Sequence, residues 1–122
     1  MGIGDNSTRA KVADRFTAYS FGKAIHPSAI IGREVEIGEG TVIMAGAIIN
    51  PGCRIGRHCV VNTGASLDHD SVMEDFSHMA PGVHTGGNCR IGKYAFIGIG
   101  ATLVQGVVLG EGVFIKAGEV VK

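Results

Sequence analysis

The densest run of chemistry-bearing side chains is Asp68-His69-Asp70, followed by Phe76-Ser77-His78, then His84 and Gly86-Gly87. A histidine between two carboxylates can have its imidazolium stabilised and its tautomer fixed, as a general base acting on an amine or hydroxyl requires. The same triplet also fits a solvated polar turn. His69, His78 and His84 leave a three-histidine metal centre conceivable. Cys53, Cys59 and Cys89 are an odd number in no CxxC spacing, which speaks against a disulfide framework and a zinc site.

The elements that must position these residues emerge when the chain is written in sixes from Ile25. The first place of each hexad runs Ile25, Ile31, Ile37, Ile43, Ile49, Ile55, Val61, Leu67, Met73, Met79, Thr85, Ile91, Ile97, Leu103, Leu109, Ile115 and Val121, with Thr85 alone not aliphatic. Four residues later comes a small or modest side chain, from Ala29 to Val113. Of the 17 glycines after Ile25, 16 fall one or three places after the aliphatic, where a turning strand needs tight packing or a positive φ. Three such sides make an 18-residue triangular coil, and coils stack in parallel. The fold class is therefore all-β, a single-stranded parallel β-helix over residues 24–122. Cys53, Cys59 and Cys89 take the small interior slot and read as packing residues, not nucleophiles.

Within this frame His69 has Gly87 one coil later and Gln105 two coils later. A position without a side chain above the base leaves room for a thioester, and the Gly87 N–H could face an oxyanion. His78 and His84 share one slot in consecutive hexads, so they point from different faces and suit a common metal ion badly. No metal site is assigned. His26 and His58 are assigned to the surface.

Eleven basic residues balance eleven acidic ones, so the field of a nucleic-acid binder is missing. No apolar run approaches a membrane span and no signal peptide is visible, so a cytoplasmic protein is expected. Residues 1–23 fall outside the repeat. Asn6 or Ser7 could cap a short helix with Val12, Phe16 and Tyr19 on one face, covering the open end of the prism. Gly2-Ile3-Gly4 lacks a preceding strand and a third glycine, so it is no dinucleotide fingerprint.

Asp68-His69-Asp70 with Phe76-Ser77-His78 and Gly86-Gly87-Asn88, preceded by Ile25-His26-Pro27-Ser28-Ala29, resembles the sialic acid O-acetyltransferase and bacillosamine-type sugar N-acetyltransferase family. The resemblance implies a left-handed helix, acetyl-CoA as acyl donor, a sugar or nucleotide-sugar acceptor, and homotrimers with sites between subunits. Carried over by motif, His69 would be the base and Asp70 its supporting carboxylate. His78 and the Gly87 amide would meet the acetyl group, Ile99 and Ala117 would line the coenzyme A groove, and Gln105 is assigned to the donor as well. Family members begin with a Rossmann-like domain, of which Gly2-Ile3-Gly4-Asp5-Asn6 and Arg9 resemble only the last strand and helix. A non-catalytic coenzyme A- or partner-binding remnant is therefore the alternative, and a γ-carbonic-anhydrase-like enzyme a more distant one.

Overall fold

The computed structural model describes residues 2–122 and places one short helix before 17 two-residue strands, from Ala24–Ile25 to Val120–Val121. Every pairing is parallel and joins a residue to the one 18 further on, as in Ala24 with Val42 or His78 with Phe96. Three sheets result, and each is one face of a triangular prism. The first face carries Val42–Ile43, Val60–Val61, His78–Met79, Phe96–Ile97 and Phe114–Ile115; the second carries Ile48–Ile49, Ser66–Leu67, His84–Thr85 and Thr102–Leu103; the third carries Arg54–Ile55, Val72–Met73 and Arg90–Ile91.

In each strand the second residue points inward. Ile43, Ile49, Leu67, Met73, Met79, Ile91, Ile97 and Leu103 are all but inaccessible, and the small slot (Ala47, Cys53, Cys59, Ala65, Ser71, Ser77) closes the interior beside them. Each such aliphatic contributes about 1.5–3 kcal/mol of burial, which is how a chain without tryptophan keeps its core. The cysteines are free and buried, as their slot requires.

The two glycine slots have different causes. Every position three after the inward residue, from Glu34 to Gly118, has a positive φ: nine are glycine and six are Glu34, His58, Asp70, Phe76, Asn88 and Tyr94. The other slot is one of close approach. A Cβ on Gly38 would lie 2.6 Å from the Gly56 backbone, and one on Gly98 2.6 Å from the Ala117 nitrogen.

The faces differ outside. The third is charged, with Arg54 paired to Glu36 and Arg90 to Glu74. The second exposes only uncharged groups and one histidine: Ile30, Ile48, Ser66, His84, Thr102 and Val120. The first is partly covered by the N-terminal segment.

That segment departs from expectation. The helix α1 (Asn6–Arg15) exists, but Asp5 caps it, accepting from the Thr8 N–H at 2.8 Å. Its buried face is Asn6, Arg9 and Ala13, whereas Phe16 and Tyr19 are exposed. It does not cover the end of the prism, where Ile25 and Ile31 remain exposed. It lies along the corner between the third and first faces, because Arg9 and Asn6 find backbone carbonyls there: Arg9 donates to His58 and Phe76, Asn6 to Tyr94 and Ala95. Those three corner residues stack 18 apart, His58 on Phe76 at 5.3 Å and Phe76 on Tyr94 at 5.5 Å, with Phe21 edge-on to His58. His58 is accordingly buried, not the surface residue expected. His26 is exposed.

Candidate active site

The turn Asp68-His69-Asp70 forms the corner between the second and third faces and is pinned from several sides. The Asp68 N–H donates to Thr85 Oγ1 at 3.1 Å, its carbonyl accepts from Cys53 Sγ at 2.9 Å, and its Oδ1 accepts from the His69 N–H at 2.7 Å and Asn50 Nδ2 at 3.0 Å. Thr85, the one polar residue in the aliphatic column, is thus there to hold the turn. The His69 carbonyl accepts from Asn88 N one coil above, and the Asp70 N–H donates to Pro51 one coil below.

His69 Nδ1 lies 3.0 Å from Asp70 Oδ2. A carboxylate accepts only, so Nδ1 carries the hydrogen and Nε2 keeps its lone pair, the tautomer a general base needs. Both side chains are about half exposed or more, 48% and 63%. Two glycines make room for them. A Cβ on Gly87 would come within 2.6 Å of His69 Cε1, and one on Gly52, at φ +79°, within 3.3 Å of Asp70 Cγ. The space above the base expected to admit a thioester is therefore filled by the imidazole itself, which covers the buried Gly87. Asp70 holds the left-handed φ, +55°, that its corner slot has throughout the prism, a region that Asp tolerates better than most residues.

The structure brings His69, Asp70 and Gly87 together, with exposed Gln105 one coil above Gly87 on the same corner. It does not bring His78 to them. His78 stands on the first face, opposite the His69 corner, 5% exposed. Its Nδ1 meets the Gly4 carbonyl at 2.9 Å and its Nε2 meets Asn62 Nδ2 at 3.2 Å. Burial pushes its pKa below the usual imidazole value, against the opposing pull of the Gly4 hydrogen bond. Ile99 and Ala117 lie on the third corner, between the first and second faces; Ile99 is 61% exposed and its carbonyl accepts from Gly118 N. His84 points from the second face, with Nδ1 2.6 Å from Ser66 Oγ.

A cavity of about 630 Å³ lies over the first face, between Gly4–Ser7 and the stacked rings of Phe96 and Phe114, with His78 and Tyr94 in its wall. This groove is thus on the His78 side and not beside His69. Sequence reasoning missed Asn62 and gave Arg9 no role beyond its place in the N-terminal resemblance, since no repeat slot singles either out. Gly52 was legible as the residue 18 before Asp70.

Residues 34–69 match the family of bacterial transferase hexapeptide repeats (six repeats). Over 47 residues the chain is 47% identical to UDP-N-acetylbacillosamine N-acetyltransferase from Bacillus subtilis, a stretch that is 37% of this chain and 22% of that protein. The acetyltransferase domain of PglB from Neisseria gonorrhoeae is 36% identical with a TM-score of 0.96, over 98% of this chain and 60% of that one. The same domain with acetyl coenzyme A gives 34% and 0.79, over 97% and 63%. PerB from Caulobacter crescentus, in complex with CoA and GDP-perosamine, is 38% identical with a TM-score of 0.96, over 98% of this chain and 59% of that one. The chain spans less than two thirds of each of these relatives.

Proposed function

We propose that this chain, a left-handed β-helix of the hexapeptide-repeat acyltransferases, moves an acetyl group from acetyl-CoA to an amine or hydroxyl of a sugar or nucleotide sugar in the cytoplasm. The observation that carries the reading is the His69–Asp70 pair, 3.0 Å apart on an exposed corner with Nε2 free of any protein donor among the described residues. The N-acetyltransferase names of the Bacillus subtilis relative and of the GDP-perosamine enzyme from Caulobacter crescentus favour the amine.

His69 Nε2 takes a proton from the acceptor as its nitrogen or oxygen attacks the thioester carbonyl, and Asp70 stabilises the imidazolium. The tetrahedral intermediate collapses by breaking the carbon–sulfur bond, and the imidazolium returns the proton to the departing thiolate. No covalent acyl-enzyme forms. The Gly87 amide, beside the imidazole that lies over it, is the candidate oxyanion donor. Ile99, Gln105 and Ala117 are the candidate contacts to coenzyme A.

The homotrimer with sites between copies that the family resemblance implies is supported by the shape of the prism. His69 and the groove around His78 lie on opposite sides of one chain, so one substrate can meet both only across a boundary between copies. Three prisms with their second, uncharged faces toward a common axis bring the His69 corner of each against the Ile99 corner of the next. That head-to-tail contact closes after three copies.

His69→Ala should abolish transfer while acetyl-CoA affinity, measured by titration calorimetry, stays within about twofold. Unchanged turnover would remove His69 as the base, and absence of acetyl-CoA binding to the wild type would remove the transferase reading.

A further inference from the structure

The repeat does not need residues 2–16, yet they carry the side chain with the most hydrogen bonds among the described residues. Arg9 is wholly buried without a carboxylate partner among the described residues. A buried guanidinium is tolerated only if its N–H groups are satisfied, and here acceptors surround it. Nε donates to the His58 carbonyl at 2.6 Å, and Nη2 to Asn6 Oδ1 and the Phe76 carbonyl, both at 2.9 Å. Nη1 donates to the carbonyls of Ile3 at 3.0 Å and Gly4 at 3.2 Å. Arg9 thereby ties the extended stretch before α1 to two coils of the prism.

The Gly4 carbonyl has a second role. It also accepts from His78 Nδ1 at 2.9 Å. A carbonyl cannot donate, so Nδ1 carries the hydrogen and Nε2 bears the lone pair. Asn62 agrees with this assignment: its Oδ1 accepts from the Thr63 N–H at 2.8 Å, which turns its Nδ2 toward His78 Nε2. Burial, which keeps the ring neutral, works in the same direction.

We infer that Arg9 is a positioning residue that, through the Gly4 carbonyl, locks His78 in the Nδ1–H tautomer, so that His78 offers substrate a hydrogen-bond acceptor and not a donor. The significance of this rests on the acetyl-transfer reading. His78 then cannot hold the oxyanion, as its motif suggested. Its Nε2 exchanges Asn62 for an N–H or O–H of the bound substrate and orients it, which leaves oxyanion stabilisation to a backbone amide.

The test is long-range proton–nitrogen correlation of ¹⁵N-labelled histidine in the full chain, which reports which ring nitrogen of His78 is protonated. The wild type should show Nδ1–H in excess by about tenfold, the weight of one net hydrogen bond. In an Asn62→Ala background, where the second contact to Nε2 is gone, Arg9→Met should erase that excess while the resonances of Val61 and Ile97 in the prism stay in place. Arg9→Ala in the same background should regain it when ethylguanidinium is added. If Arg9→Met releases the whole segment, His78 loses Gly4 and the excess disappears likewise. A wild type with Nε2–H at His78, or an Arg9→Met chain of the Asn62→Ala background that keeps Nδ1–H, overturns the inference. The tautomer is read whether or not the protein turns over. An inactive protein with Nδ1–H at His78 would count against acetyl transfer alone, and an active one with Nε2–H against this inference alone.

Discussion

Gly87→Ala isolates the geometry of the base. The added methyl would sit 2.6 Å from His69 Cε1 and 2.8 Å from Cδ2, where carbon atoms in contact keep about 3.5–4.0 Å. The imidazole must therefore retreat by about 1 Å, and a displacement of that size at a reacting group costs about 100-fold in rate. Stability should hardly change. The nearest atoms met are the ring of a half-exposed side chain that can rotate away, and Gly87 is not among the positive-φ glycines. Replacing glycine at a compatible φ tends to stabilise by about 0.4–1 kcal/mol, offsetting the lost ring contact. Release of coenzyme A thiol, followed with a disulfide dye in the presence of an amino sugar, should show kcat/KM down by about 100-fold, with Tm within about 4 °C of wild type. Full activity would refute the placement of His69 over Gly87 in the working enzyme. A collapse of Tm would show that Gly87 serves the coil and not the base.

Asp70→Asn should lower kcat by at least about 100-fold with acetyl-CoA affinity preserved, since the amide cannot stabilise the imidazolium; the thiol-release assay and calorimetry separate the two. Thr85→Val keeps the shape of the interior column but leaves the Asp68 N–H without its acceptor, so denaturant melts should show a loss of about 1–3 kcal/mol together with reduced turnover. Burial depresses the pKa of His58, with Glu39 opposing, and of His78, with the Gly4 hydrogen bond opposing. The folded state therefore refuses protons that the unfolded chain takes up at its ordinary value of 6.5. Stability is full above that value and falls as pH drops below it; Tm recorded from about pH 7.5 to 5 should decline, and His58→Phe, which can join the stack between Phe21 and Phe76, should flatten part of the slope.

Much of this was readable from residue order because a solenoid reduces tertiary structure to arithmetic. A stride of 18 places Gly87 over His69 and Gly52 beneath Asp70, and the six-residue frame marks Cys53, Cys59 and Cys89 as interior. The same arithmetic could have shown His58, Phe76 and Tyr94 as one column, since rings 18 apart must stack. The N-terminal segment was not readable in this way. Periodicity of Val12, Phe16 and Tyr19 suggested an apolar face, but α1 docks through Asn6 and Arg9, whose partners are backbone carbonyls that carry no sequence signature. The surroundings of His78 were unreadable for the same reason, because its Nδ1 meets the backbone carbonyl of Gly4.

The central claim is that one site is completed by the His69 corner of one copy and the Ile99 corner of the next. His69→Ala and Ile99→Arg chains, each inactive alone, can be unfolded together in equal amounts, refolded, and checked for mixed trimers by native mass spectrometry. In random trimers about one boundary in four joins an intact His69 corner to an intact Ile99 corner, so the account predicts recovery of about a quarter of wild-type turnover. Mixed trimers that remain as inactive as their parents would contradict it.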